Sequence, residues 1–292
     1  MAEQVECVVQ ANNILGEVPL WCPRAQKLWW IDIYAPSLHC FDPGNGEHKF
    51  VPLPGKIVGS FDLRASGGLV IARNHGFFSF DPANSACLLL ACPESDKPKH
   101  RLNDGKCDRR GRYWVGSMHT TIREPRGAFY RIDPDHGVHK VSDGFILPNS
   151  VAISPDDRTF YFADTLSFTI WAFDFDIDRG VLSNRRVFAD TTGHPGRPDG
   201  STVDTEGFLW NAEMAGGRIV RYAPDGRIDR PVALPISRPT SCAFGEPKLD
   251  TLFITSSSHG LSPEQRVMEP LAGSLFAINV GAQGSPEPAY AG

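Results

Sequence analysis

Short apolar runs rich in Val, Ile, Phe, Tyr and Trp recur along this chain, punctuated by Gly, Pro, Asp and Asn, and no stretch sustains a helical period. That is strand and turn chemistry. The runs repeat in order at a spacing of about 40 to 50 residues, the interval of propeller and solenoid units. The first copy has LGEVPLW (Leu15 to Trp21), then Leu28 to Ile33, then Leu38 to Pro43 with an Asp-Pro turn. The second has Ile57 to Leu63, Gly68 to Ala72 and Gly76 to Pro82. The third begins RLNDGKCD (Arg101 to Asp108), turns at Arg110-Gly111, and continues through Tyr113 to Met118 and Ala128 to Pro134. The fourth is PNSVAISPDDRTFYFAD (Pro148 to Asp164) with Ile170 to Asp174. The fifth is RPDGSTVDTEGFLWNAE (Arg197 to Glu213) with Arg218 to Pro224, and the sixth has Thr240 to Phe244, Thr251 to Ser256 and Ser274 to Val280.

Six strand-bearing copies fit radially arranged sheets better than a sandwich, which has no reason to repeat one phrase. The fold expected is all-β: a six-bladed β-propeller of four-stranded antiparallel blades, one domain over residues 1–292. The apolar stretch Val5 to Gln10 precedes the first copy and is expected to complete the sixth blade, closing the ring and removing an exposed edge; otherwise only a loose tail, Pro286 to Gly292, is available. Two connections, His119 to Gly127 and His259 to Gly273, approach the length at which loops are often functional. The first is expected over a binding site; the second has no assignment.

Composition narrows the function classes. Over 292 residues the chain is 41% hydrophobic and 22% charged with a net charge of -5, ordinary for a soluble globular protein and unsuited to a nucleic-acid surface. The N-terminus lacks the basic start and long apolar core of a secretory signal, and no apolar run reaches the roughly 20 residues of a membrane helix. The expectation is a cytoplasmic monomer with no nucleic-acid or membrane partner. Seven cysteines without a C-x-x-C pair suggest reduced, mostly buried thiols rather than a disulfide framework or a zinc site. There is no G-x-S-x-G elbow, H-E-x-x-H or P-loop, which disfavours serine hydrolase, zincin and nucleotide chemistry.

In a propeller, equivalent positions near the starts of the inner strands converge from different blades. The aligned phrases put Glu17, Asn149 and Asp199 there, with Asn103 and Asp104 in the third copy. Two carboxylates and a carboxamide make a hard, all-oxygen donor set suited to Ca²⁺, Mg²⁺ or Mn²⁺. Each residue also sits beside Gly, Pro or Ser, where acidic and amide side chains commonly serve turns; agreement in register across copies favours the ligand reading. Arg101 beside Asn103 offers a guanidinium fork and a carboxamide for sugar hydroxyls or a carbonyl. Asp104 is either an orienting residue or a turn residue, and His119, a lone loop histidine, stays outside the catalytic set.

The phrases LGEVPLW, RLNDGKCD with GRYWVGSM, PNSVAISPD and RPDGSTVDTEGFLW resemble the gluconolactonase, regucalcin (senescence marker protein) and luciferin-regenerating-enzyme family, in order and over nearly the whole chain. The resemblance implies a six-bladed propeller with one catalytic divalent ion (Ca²⁺, Mn²⁺, Mg²⁺, Zn²⁺ or Fe²⁺) and hydrolysis of a sugar lactone to the aldonic acid. It implies Glu17, Asn149 and Asp199 as metal ligands and Arg101 and Asn103 as substrate contacts. Where regucalcin-like members carry a glutamate in the loop after the GTM-like phrase, this chain has Thr121, so the substrate preference of animal members does not transfer. The expected mechanism polarises the lactone carbonyl at the ion while a water attacks, with Asp199 as catalytic base and a hydroxide on the ion as its competitor. Competing functions are a metal-dependent esterase or phosphotriesterase on the same fold, a Ca²⁺-binding regulatory protein, and an interaction scaffold.

Overall fold

The structure is a computed structural model that describes residues 4–292, so the first three residues of the expected domain lie outside it. In chain order the strands are β1 (Glu6–Val9), β2 (Gly16–Cys22), β3 (Lys27–Asp32), β4 (Ser37–Asp42), β5 (Glu47–Pro52), β6 (Val58–Leu63), β7 (Leu69–Arg73), β8 (Gly76–Phe80) and β9 (Cys87–Ala91). There follow β10 (His100–Cys107), β11 (Tyr113–His119), β12 (Gly127–Ile132), β13 (Val138–Phe145), β14 (Pro148–Ile153), β15 (Thr159–Asp164), β16 (Thr169–Asp176) and β17 (Val181–Asp190). The last are β18 (Arg197–Val203), β19 (Leu209–Met214), β20 (Arg218–Tyr222), β21 (Ile228–Ala233), β22 (Pro239–Gly245), β23 (Thr251–Ser256) and β24 (Leu275–Asn279).

They form six four-stranded sheets: β2 to β5, β6 to β9, β10 to β13, β14 to β17, β18 to β21, and β22 to β24 completed by β1. All neighbours run antiparallel, and the fold is a six-bladed β-propeller. The N-terminal strand pairs with β24, Glu6 opposite Ala277, so one sheet is built from both ends of the chain, as the expected closure requires. The chain divides into two compact units of three sheets each, residues 1–52 with 191–286 and residues 53–190 with 287–292.

A turn chemistry repeated in the sequence explains two of the sheets. In D-x-x-G-x-x-W, Asp108 accepts the backbone N–H groups of Arg110 and Arg112 through Oδ1 and the Trp114 indole N–H through Oδ2 at 2.8 Å. Asp204 does the same for Glu206, Phe208 and Trp210, the indole at 2.9 Å. Gly111 and Gly207 take the left-handed backbone that closes each turn (φ 75 and 86), a conformation costly for other residues. The indoles thus satisfied are fully buried: Trp114 among Phe129, Phe160 and Phe175, Trp210 among Ile219, Phe244 and Ile254.

The structure adds what the pattern missed. The fourth strands β5, β17 and β21 are mostly exposed and β13 is half exposed, and their polar sequences give no apolar run. The segment His259 to Gly273 contains a short helix, α1 (Pro263–Met268), started by a Ser262–Gln265 capping box. The tail is docked rather than loose: Tyr290 is fully buried, its N–H bonds Leu63 O and its hydroxyl donates to Asp133 O, both at 2.8 Å. No cysteine is in a disulfide; Cys22, Cys107 and Cys242 are buried and Cys92 is exposed. Among the described residues no helix is long and apolar enough to cross a membrane.

Candidate metal and substrate site

Every sheet has one buried edge, its first strand in the order above, and all six of these strands depart from regular pairing near their starts. The irregularities lie between Glu17 and Leu20, Val58 and Ser60, Leu102 and Gly105, Asn149 and Ala152, Pro198 and Ser201, and Pro239 and Ser241. A bulge bends the strand and re-aims the side chains beside it. The repeated phrase is therefore the sequence of a repeated bulge, and Glu17, Asn103, Asn149 and Asp199 all stand at one.

Backbone strain marks two of these positions. Val18, directly after Glu17, and Ser150, directly after Asn149, hold φ of 51 and 63. A β-branched residue in the left-handed region is an outlier, and such strain of about 1 to 3 kcal/mol persists at sites that use the geometry. After Asp199 the chain has Gly200, where a Cβ would lie 2.1 Å from Ser241 Oγ. Only glycine lets β18 approach β22 so closely.

In the unit of residues 53–190, β10 packs between β6 and β14. Arg101 Nη1 donates to Asn103 Oδ1 at 2.6 Å, and Asn103 Nδ2 donates to Asn149 Oδ1 and to Pro148 O, each at 2.8 Å. Asn149 Nδ2 in turn donates to Thr165 Oγ1 at 2.7 Å, which fixes which end of the amide presents its oxygen. Ser60 Oγ donates to Asn103 O at 2.6 Å. Asp104 accepts Val151 N–H, so it supports the neighbouring strand, and burial raises its carboxyl pKa. The predicted residues Arg101, Asn103 and Asn149 thus form one buried chain of hydrogen bonds.

In the other unit, β22 packs between β18 and β2. Glu17 and Asp199 stand on the two outer of these strands, both buried. Glu17 Oε2 accepts the N–H of Val18 at 3.2 Å, the Asp199 carbonyl accepts Asn211 Nδ2 at 2.9 Å, and Thr240 Oγ1 donates to Gly16 O at 2.5 Å. Taken singly, Glu17, Asp199 and Asn149 are each a buried side-chain oxygen donor of the hard kind that oxygen-preferring cations select, and among the described residues no group of three or more His, Cys, Asp and Glu side chains is gathered for a metal.

Two further clusters at these strand ends escaped the sequence reading. Buried Glu94 accepts from Lys97 Nζ at 3.0 Å, Ser117 Oγ at 2.9 Å and Tyr130 OH at 3.0 Å, with His100 Nδ1 at 3.4 Å. His100 meets His119 edge-on with ring centres 5.3 Å apart, and His119 Nδ1 contacts Thr121 Oγ1 at 2.8 Å, anchoring the start of the 119–127 connection. Burial lowers the His100 pKa, against the pull of Glu94. Buried Glu213 similarly gathers His194, Arg218 and Tyr222. The signal available was a glutamate inside a largely apolar strand, LWNAEM.

Residues 15–258 match the family model described as SMP-30/Gluconolactonase/LRE-like region. Over 294 residues, all of both chains, the protein is 36% identical to 6-deoxy-6-sulfogluconolactonase of Pseudomonas putida, and over 99% of both chains it is 35% identical to regucalcin of Xenopus laevis. Its structure superposes on regucalcin from Agrobacterium tumefaciens, described as a calcium-binding protein, with a TM-score of 0.94 at 30% identity, covering 99% of this chain and 98% of that one. With the family model spanning most of its length and full-length relatives above 30% identity, the chain belongs to the SMP-30/gluconolactonase/LRE-like family.

Proposed function

We propose that the protein is a carboxylic ester hydrolase that opens an aldonolactone to the aldonic acid with the help of one divalent ion. The observation that carries this reading is the buried hydrogen-bonded chain Arg101–Asn103–Asn149, set at bulges on neighbouring strands. Its members match in position the substrate and metal residues that the family resemblance implies. A full-length relative named for a gluconolactone derivative supports the substrate class.

Glu17, Asn149 and Asp199 would hold the ion, which would supply Lewis acidity to the lactone carbonyl. Arg101 and Asn103 bind sugar oxygens and set the carbonyl in place, an effect of position rather than of bond making. Asp199 presents a carboxylate to the attacking water. The nearest competing activity is hydrolysis of aryl esters or phosphotriesters. Base consumption at constant pH, with aldonolactones, 6-deoxy-6-sulfogluconolactone and aryl esters compared, separates them; faster turnover of aryl esters than of every lactone overturns the proposal.

A Ca²⁺-responsive role is the second reading, favoured by the calcium-binding regucalcin that superposes on this chain. It requires Ca²⁺ binding near the micromolar range of sensors with a conformational response. Calorimetric titration with Ca²⁺ beside Mn²⁺ and Mg²⁺ decides it.

A further inference from the structure

In the register of β10 with β11, Leu102 faces Ser117 and Gly105 faces Val115, so Asn103 and Asp104 have no residue opposite them. The bulge at Asn103 thus takes its backbone carbonyl out of the regular ladder, at a buried position. A buried acceptor must find a partner elsewhere. The neighbouring sheet supplies it: Ser60 Oγ, on β6, donates to Asn103 O at 2.6 Å. Ser60 is itself fully buried, and Tyr113 OH donates to its oxygen at 2.8 Å.

The sequence beside Ser60 admits this contact. A Cβ on Gly59 would lie 2.2 Å from Leu102 O and 2.9 Å from the Asn103 Cα, so only glycine there lets β6 close on the bulge. The donors run one way, Tyr113 OH to Ser60 Oγ to Asn103 O, and successive bonds of this kind polarise one another. Burial pushes the Tyr113 hydroxyl pKa well up, so the ring keeps its proton. A phenylalanine ring would fill the same space without that hydroxyl. The other unit repeats the device: Thr240 Oγ1 on β22 donates at 2.5 Å to the carbonyl of Gly16, the residue before Glu17 on β2, and Thr255 Oγ1 lies 2.9 Å from Thr240 Oγ1. In each unit a hydroxyl on one sheet's first strand holds a carbonyl on the next sheet's first strand, at or beside a residue of the proposed site.

We propose that Ser60, backed by Tyr113, is a positioning residue for lactone hydrolysis: it fixes the backbone of Asn103 and so the direction in which that carboxamide is held toward the sugar. This rests on the function proposed above. Asn103 is tied through its amide to Arg101, Asn149 and Pro148, and through its carbonyl to Ser60. With the carbonyl released, the peptide between Asn103 and Asp104 can rotate, and misplacing a substrate contact by about 1 Å is enough to lower the rate. The contribution of Ser60 therefore passes through Asn103.

The test is a double-mutant cycle on kcat/KM, measured by base consumption on the lactone that the wild type turns over fastest. Ser60→Ala should lower kcat/KM about 10-fold, and Tyr113→Phe, which leaves Ser60 in place, about 3-fold. In an Asn103→Ala background both losses should shrink to within about 2-fold, because the side chain being positioned is gone; a merely structural contact would cost the same in either background. Should Ser60→Ala fail to fold, Tyr113→Phe carries the same cycle alone. Wild-type kcat/KM in Ser60→Ala, or an undiminished loss in the Asn103→Ala background, would overturn the assignment while leaving lactone hydrolysis intact. A wild type that opens no lactone overturns both.

Discussion

Asn103 donates to Asn149 across neighbouring strands, Nδ2 to Oδ1 at 2.8 Å, and each amide is held at its other end, by Arg101 and by Thr165. The relationship joins the proposed substrate contact to the proposed metal ligand, so that orienting one orients the other. Each buried polar atom left without its partner costs about 1 to 3 kcal/mol. Asn103→Ala strands Asn149 Oδ1 and Pro148 O together. Steady-state kinetics should register a fall of about 10- to 100-fold in kcat/KM. An unchanged value would mean that the bridge is a bystander.

Glu17→Gln and Asp199→Asn each replace a charged oxygen donor with a neutral one of the same shape. Elemental analysis after dialysis against a divalent ion should find less bound metal in both, and lactone hydrolysis should fall with it. If metal content and rate both survive, these side chains are not ligands.

A different region contributes to the response to acid. His39 Nδ1 contacts His48 Nε2 at 2.9 Å, and Ser37 and Asn13 crowd the other ring nitrogen. Burial, then the charge of His48, lowers the pKa of His39 from 6.5 to about 4, against a smaller pull from Asp32. The folded chain thus binds fewer protons here than the unfolded one. The stabilisation is complete above about pH 6.5 and is lost as the pH falls toward 4, a difference of about 3 kcal/mol. The melting temperature of His39→Gln should fall less between pH 7 and pH 4 than that of the wild type; equal slopes would exclude the pair as the cause.

At the C-terminus, Tyr290 packs with Val70, Tyr113 and Tyr130. Truncating a buried aromatic ring to alanine typically costs about 3 to 5 kcal/mol. Tyr290→Ala should lower the urea midpoint accordingly, and a midpoint within error of wild type would mean that the tail is dispensable.

These cases separate what the sequence carries openly from what it hides. The D-x-x-G-x-x-W turns and the apolar inner strands are local, so the architecture and the bulge positions of Glu17, Asn103, Asn149 and Asp199 were legible as a repeated phrase. The outer strands were not, because a strand such as EHKFVP buries too little to impose an alternation. Tyr290 stands in the tail PEPAYAG, its one large apolar side chain, where nothing nearby signals its burial. His194 and Glu213 are 19 residues apart and meet only because the register of β18 with β19 folds one over the other.

The central claim is that oxygen ligands at the first-strand bulges make this family member a metal-assisted lactonase. Its most direct test measures hydrolysis of a panel of pentono- and hexonolactones by chelated protein, each divalent ion then being added back singly. Negligible turnover after chelation, restored on at least one aldonolactone by an oxygen-preferring ion such as Ca²⁺, Mn²⁺ or Mg²⁺, is the predicted result. Full turnover in the chelated protein, or none on any lactone with any ion, would contradict it.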